Sequence, residues 1–143
     1  MVARRLLDLS LRLDRRPTRF LLVGISGIGV NTGVFWLATR GGLAPFWAGL
    51  AASLVSTGTN FLLNDAFTWR DRRASGLRRT LGRMLRYYSA TTVGNLIYLG
   101  VLTVLIQTVG LFYLVANLVA IGVGGTFNYL LHNVWTWRGG KRA

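Results

Sequence analysis

The sequence predicts an all-α integral membrane protein: four transmembrane helices forming two parallel-repeat hairpins, N-in/C-in, with short amphipathic interfacial helices. Three observations carry this. First, the chain repeats itself. Residues 60–70 read NFLLNDAFTWR and residues 128–138 read NYLLHNVWTWR, identical at six of eleven positions. Each copy ends a long apolar stretch and opens an arginine-rich one, so two equivalent units leave an apolar phase at the same depth. Second, the charge is segregated. The 143 residues are 52% hydrophobic yet carry a net charge of +13. Between Phe20 and Asn64 the only charged residue is Arg40, and between Tyr87 and Trp137 there is none. About 20 apolar residues span a bilayer core as a helix. Third, the basic residues alternate in side along the chain. Segment 1–19 is net +4, loop 65–86 net +5 and tail 138–143 net +3, whereas the segment between the first two spans has only Arg40. The positive-inside rule then puts both termini and the central loop in the cytoplasm.

The N-terminal segment reads as an amphipathic surface helix. Leu6, Leu7, Leu9, Leu11 and Leu13 fall on one broad arc, and Arg4, Arg5, Arg12, Arg15 and Arg16 on the other. Its apolar residues are too interrupted for a cleaved signal peptide. The first span is expected near 20–39 and ends at Gly41, Gly42 and Pro45, which break helices. The second lies near 45–64. In the loop after it, Leu77, Leu81, Met84, Leu85 and Tyr88 make a helical stripe, with Arg78, Arg79, Arg83 and Arg86 away from it. This is a second interfacial helix suited to anionic membrane lipids, each juxtamembrane Arg adding on the order of 1 kcal/mol. The third and fourth spans lie near 87–108 and 111–131, divided at Gly110.

The repeat covers whole hairpins. Arg19-Phe20 and Arg86-Tyr87 are 67 residues apart, as are Gly27 and Gly94, while Asn60 and Asn128 are 68 apart. The chain is therefore read as one membrane domain, 1–143, with repeat one at 19–70, a basic cytoplasmic loop at 71–85 and repeat two at 86–138. The two units share one orientation, so the repeat is parallel and not inverted.

Polar residues inside spans are costly and informative. Ser53, Ser56, Thr57, Thr91, Thr92 and Thr126, with Gly29 and Gly33, Gly49, and Gly122, Gly124 and Gly125, suit close helix packing with hydrogen bonds across the contact. Asn60 and Asn128 stand apart. They are repeat-equivalent, about one turn inside the cytoplasmic boundary, and Asn64 and His132 come at i+4 on the same face. Arg19 and Arg86 open the partner helices at that depth, and Arg70 and Arg138 close the motif. Amide donors below a rim of guanidinium groups can hold a phosphate at headgroup level. The same residues can also serve as helix caps and topology anchors. Trp69, Trp135 and Trp137 read as interface-belt aromatics. Asp65 reads as a solvated helix-end acid and His132 as a hydrogen-bonded histidine.

Several function classes are disfavoured. The acids are Asp8, Asp14, Asp65 and Asp71, all outside the apolar core, so no carboxylate pair is placed for acid–base chemistry. The chain has no cysteine, metal-ligand cluster, P-loop or nucleophile elbow. The expectation is a protein that is not an enzyme and uses no metal or cofactor. Basic clusters at membrane ends, without a nucleic-acid-binding motif, argue against nucleic acid as partner. A four-helix drug exporter would need an intramembrane carboxylate, which is lacking.

The assembled pattern resembles the GtrA-like family of small four-span membrane proteins of cell-surface polysaccharide synthesis. The residues that carry the resemblance are Arg19-Phe20 with Gly24, Asn60-Phe61-Leu62-Leu63-Asn64 leading to Phe67-Thr68-Trp69, and the second copy from Asn128-Tyr129 to Trp135-Thr136-Trp137. The resemblance implies binding, and translocation across the bacterial cytoplasmic membrane, of a polyprenyl-phosphate-linked monosaccharide. It also implies an alternative, because similar domains anchor glycosyltransferases that make polyprenyl-phosphate sugars: a scaffold with a glycosyltransferase partner. A homo-oligomer is a further expectation, from the exposed small-residue faces. Asn60, Asn64 and Asn128 match motif positions. Asp65 stands where a basic residue is common, and His132-Asn133 where Asn and a basic residue are expected. These departures shift the weight of phosphate binding to Arg19, Arg70, Arg86 and Arg138.

Overall fold

The computed structural model describes the backbone of residues 2–138 and the side chains of residues 16–138. It is helical throughout, with no β-strand among the described residues. Helix α1 spans Val2–Arg40, α2 Pro45–Leu63, α3 Leu77–Gln107 and α4 Tyr113–Leu131. A π-helical turn comes after each even-numbered helix, at Asn64–Thr68 and at His132–Thr136. Among the described residues four segments are long and apolar enough to cross a membrane: Arg16–Arg40, Pro45–Thr68, Leu77–Gln107 and Tyr113–Thr136. A helix satisfies its own backbone polar groups, which lipid cannot do, so apolar runs of this length fold this way. The protein is a multi-pass membrane protein.

The chain divides into two compact units, Met1–Arg73 and Ala74–Ala143. In the first, α1 packs on α2; in the second, α3 packs on α4. The α1–α2 turn is a Schellman motif. Gly42 takes φ 91°, Leu43 N–H donates to Ala38 O at 3.0 Å, and Gly42 N–H donates to Thr39 O at 3.1 Å. Pro45 then starts α2, where its missing N–H costs nothing. Gly110, at φ 73°, turns the chain from α3 so that Leu111 N–H reaches Leu105 O at 3.0 Å.

The expected loop helix is present but not separate. The stripe from Leu77 to Tyr88 forms the first turns of α3 and runs unbroken into the span. At 1.5 Å per residue α3 is about 46 Å long, well beyond a hydrocarbon core of about 30 Å, so one helix serves both surface and span. Apart from Arg16, the N-terminal leucine and arginine arcs lie outside the residues whose side chains are described.

Each hairpin is closed by a stripe of small residues. Ala48, Ala52 and Ser56 recur every four residues on α2, and Ala116, Ala120 and Gly124 do so on α4; all six are buried. Small side chains let backbones approach, and van der Waals packing then supplies the association that lipid does not. Ser56 Oγ donates to Gly27 O at 2.8 Å, and Tyr98 OH to Asn117 Oδ1 at 2.7 Å, each across its hairpin. Two hydroxyls expected to bond across a helix contact, Thr92 and Thr126, instead bond within their own helices, as other hydroxyls do. Thr39, Thr59, Ser89, Thr92 and Thr126 bond back to carbonyls of their own helices, the local acceptor within reach in lipid. Gly29 and Gly33 also depart from expectation: a Cβ on either would meet nothing within 4 Å.

The glycines that matter are Gly27, Gly94 and Gly124. A Cβ on Gly27 would collide with the amide of Asn60, and one on Gly94 with the amide of Asn128. A Cβ on Gly124 would lie 2.8 Å from Tyr98 Cβ and 3.2 Å from Gly94 O. Gly94→Ala is expected to destabilise by about 1–3 kcal/mol, the usual cost of overpacking. The cost should largely vanish on an Asn128→Ala background, where the collision partner is gone. Thermal unfolding of the four proteins of this double-mutant cycle checks it; additive losses would mean that the Gly94–Asn128 contact is not the cause.

Candidate functional site

Both units build their helix ends from the same parts. In the first, Trp69 N–H donates to Asn64 O at 2.8 Å, a bond five residues back that widens the last turn of α2. Trp137 N–H donates to His132 O at 3.0 Å in the second. π turns of this kind are frequent at functional positions. Each is pinned across its width by a side-chain bond. Thr68 Oγ1 donates to Asn64 Oδ1 at 2.6 Å, and His132 Nδ1 lies 3.0 Å from Thr136 Oγ1. Asn64, His132, Thr68 and Thr136 are all buried.

The widened turn carries the next tryptophan back over the hairpin. Trp69 is fully buried, edge-on to Phe20 at 5.7 Å. Trp137 is likewise buried, edge-on to Tyr87 at 5.7 Å and to His132 at 5.8 Å. The belt reading therefore fails for these two. It fits the aromatics two residues earlier, Phe67 and Trp135, which are exposed. His132 is the hydrogen-bonded histidine expected: it stacks on Tyr87 at 4.2 Å, and its Nε2 lies 3.4 Å from Thr91 Oγ1. Asp65 is not solvated. Its side chain is buried and pairs with Arg73 at 3.0 Å.

An arginine from the first helix of each unit reaches the π turn. Arg19 Nη1 donates to Phe67 O at 3.2 Å and its guanidinium sits 4.9 Å over the Phe67 ring. Arg86 Nη1 donates to Trp135 O at 3.4 Å, and its Nε to Gly82 O at 3.2 Å. A guanidinium has five N–H donors, so these contacts orient each arginine and leave donors over. Arg70 and Arg138 come directly after the buried tryptophans and are exposed.

Asn60 and Asn128 sit one turn deeper, each with its amide flat against a glycine of the facing helix. Both are half-buried, and Asn60 Oδ1 and Asn128 Oδ1 are buried without a hydrogen-bond partner. An unsatisfied buried acceptor costs about 1–3 kcal/mol. Such a cost points to a polar group retained for something other than packing.

The eight residues expected at the site thus fall into four sets. Arg19 and Arg86 are fixed at the π turns, Arg70 and Arg138 are exposed beside them, and Asn60 and Asn128 each keep a buried amide oxygen without a hydrogen-bond partner. Asn64 and His132 are committed to holding the turns. Sequence reasoning missed the π turns, the threonines that pin them and the pair Arg16–Asp71, with Nη2 2.8 Å from Oδ2. A signal for the turns exists in the chain: Thr-Trp-Arg recurs at the same spacing in both copies. No group of three or more His, Cys, Asp or Glu side chains suited to a metal occurs among the described residues.

The chain is similar to known proteins over most of its length. A family model described as the GtrA/DPMS transmembrane domain matches residues 19–142. Over 122 residues the chain is 33% identical to a dolichol-phosphate mannosyltransferase of Pyrococcus furiosus. The match covers 85% of this chain and 34% of the relative, so the chain spans about a third of that protein's length.

Proposed function

The chain belongs to the GtrA/DPMS transmembrane-domain family, and from that premise we propose that it binds a polyprenyl-phosphate-linked monosaccharide and carries it across the cytoplasmic membrane of a bacterium. The observation that carries this reading is the pair of unsatisfied asparagine amides one turn below arginines fixed at the helix ends. A lipid phosphate is the ligand class that asks for both. Its anionic oxygens match guanidinium forks at headgroup depth, and the hydroxyls of an attached sugar match buried amide acceptors. The polyprenyl chain stays in lipid along the exposed apolar faces. The excess of arginine at one end of the spans orients both termini to the cytoplasm. In this reading the protein moves its substrate without altering it, and its partners are the lipid and the anionic leaflet.

A second reading has one observation in its favour. The mannosyltransferase relative is about three times as long as the shared region, so the domain also suits a scaffold that presents lipid to a separate glycosyltransferase. Native mass spectrometry of the detergent-purified protein separates the two. Retained polyprenyl phosphate or its glycosylated form, with movement of that lipid across the bilayer of proteoliposomes, is the expected result. Retention without movement favours the scaffold. Bulk phospholipid alone, with no shift on adding polyprenyl phosphate, rejects both.

A further inference from the structure

The two helix ends match in their contacts and differ in their charge. In the first unit each of two arginines meets an acid: Arg16 meets Asp71 at 2.8 Å, and Arg73 meets Asp65 at 3.0 Å. At the repeat-equivalent positions of the second unit, 68 residues on, Asp65 becomes Asn133 and Asp71 becomes Gly139. No Asp or Glu occurs after Asp71, so the unit from Ala74 to Ala143 has seven basic residues and no acid. The contacts of Arg86 are with neutral carbonyls, Gly82 O and Trp135 O. Arg138, Arg78 and Arg79 are exposed.

We propose that the anionic headgroup is held by the second unit, with Arg86 and Arg138 on its phosphoryl oxygens, while in the first unit two of the arginines are already taken by carboxylates. The assignment rests on the function proposed above. A phosphodiester carries a full negative charge. In the first unit Asp71, one residue after Arg70, and Asp65 already engage Arg16 and Arg73, so two of its guanidinium groups are committed to carboxylates and compete poorly for a phosphate. Beside Arg138 its own unit supplies no acid to compete with it. Arg86 adds preorganisation, because its two carbonyl contacts fix the guanidinium and leave further donors for bidentate contact. The duplication thus supplies two similar hairpins, and loss of the acids leaves one of them as the anion receptor.

The test compares the full chain with its Arg70→Gln and Arg138→Gln variants in nanodiscs of zwitterionic lipid, titrated with a polyprenyl monophosphate. Both arginines are exposed, so both variants keep the fold. Arg138→Gln is expected to weaken binding at least tenfold more than Arg70→Gln, and Asp71→Asn to narrow that difference. Equal losses, or a larger loss in Arg70→Gln, overturn the assignment while leaving the function intact. Failure of the unmodified chain to bind overturns both. Inorganic phosphate and phosphatidylglycerol are run as competitors. If either displaces the lipid as well as unlabelled polyprenyl phosphate does, the ligand is free phosphate or any anionic lipid. The function then falls, and the assignment stands on the ratio of the two variants.

Discussion

Replacing Asn60 and Asn128 together by leucine is expected to abolish retention of polyprenyl phosphate and to raise thermal stability at the same time. Leucine has nearly the shape of asparagine, so the contacts with Gly27 and Gly94 survive the exchange. What changes is polarity. Each Oδ1 is buried and unsatisfied, and replacing it with a methyl group removes a desolvation cost of about 1–3 kcal/mol per site. A residue kept for packing loses stability when exchanged; a residue kept for a ligand gains stability and loses the ligand. Unfolding in detergent, read together with lipid retention by mass spectrometry, gives both signs from one preparation. Stability and retention falling together would make the asparagines structural, and the site would have to be sought among the arginines alone.

Much of the fold is legible in the chain because lipid imposes strong rules. Uncharged stretches of span length become helices, and the breakers at Gly42, Pro45 and Gly110 end or start them where expected. The offsets between Gly27 and Gly94 and between Asn60 and Asn128 mark positions that do meet across each hairpin. The surface helix of the loop is legible as a helix but not as part of α3, since an amphipathic stripe and an apolar span join without any break signal when neither contains Gly or Pro at the junction. The π turns are not legible from apolar periodicity, for a physical reason. A single residue inserted into a helix leaves the apolar pattern before it untouched and rotates only the residues after it. Residue type alone places Trp69 and Trp137 at the interface, and the inserted residue turns them inward instead. Asp65 escapes a reading by residue type for a related reason. A carboxylate at the end of a span is ordinarily solvated, but here an ion-pair partner, Arg73, arrives through the short helical turn Arg70–Arg72. The candidate site is named in the chain from residue types and spacing alone. Its division into groups that hold the turn and groups left exposed depends on burial, which spacing does not encode.

The largest loss of stability is expected at the tryptophans that close those turns. Trp137→Ala should cost about 3–5 kcal/mol, the range for removing a buried aromatic. The indole is 1% exposed and wedged edge-on against Tyr87 and His132, which stack on each other at 4.2 Å. Alanine leaves a cavity under that stack and loosens the residue whose N–H closes the π bond to His132 O. The carbonyl of Trp135, which fixes Arg86, belongs to the same turn. Stability and headgroup binding should therefore fall together here, the opposite of the pattern at Asn60 and Asn128. Trp135→Ala is the internal control. That ring is 39% exposed, and its removal should cost under about 1 kcal/mol, because surface substitutions away from caps and cores are usually small. If the tryptophans were membrane-belt anchors, the exposed one would matter more. Thermal unfolding of the two variants in the same detergent decides it, and a Trp135→Ala loss equal to that of Trp137→Ala would refute the turn as the keystone of the helix end.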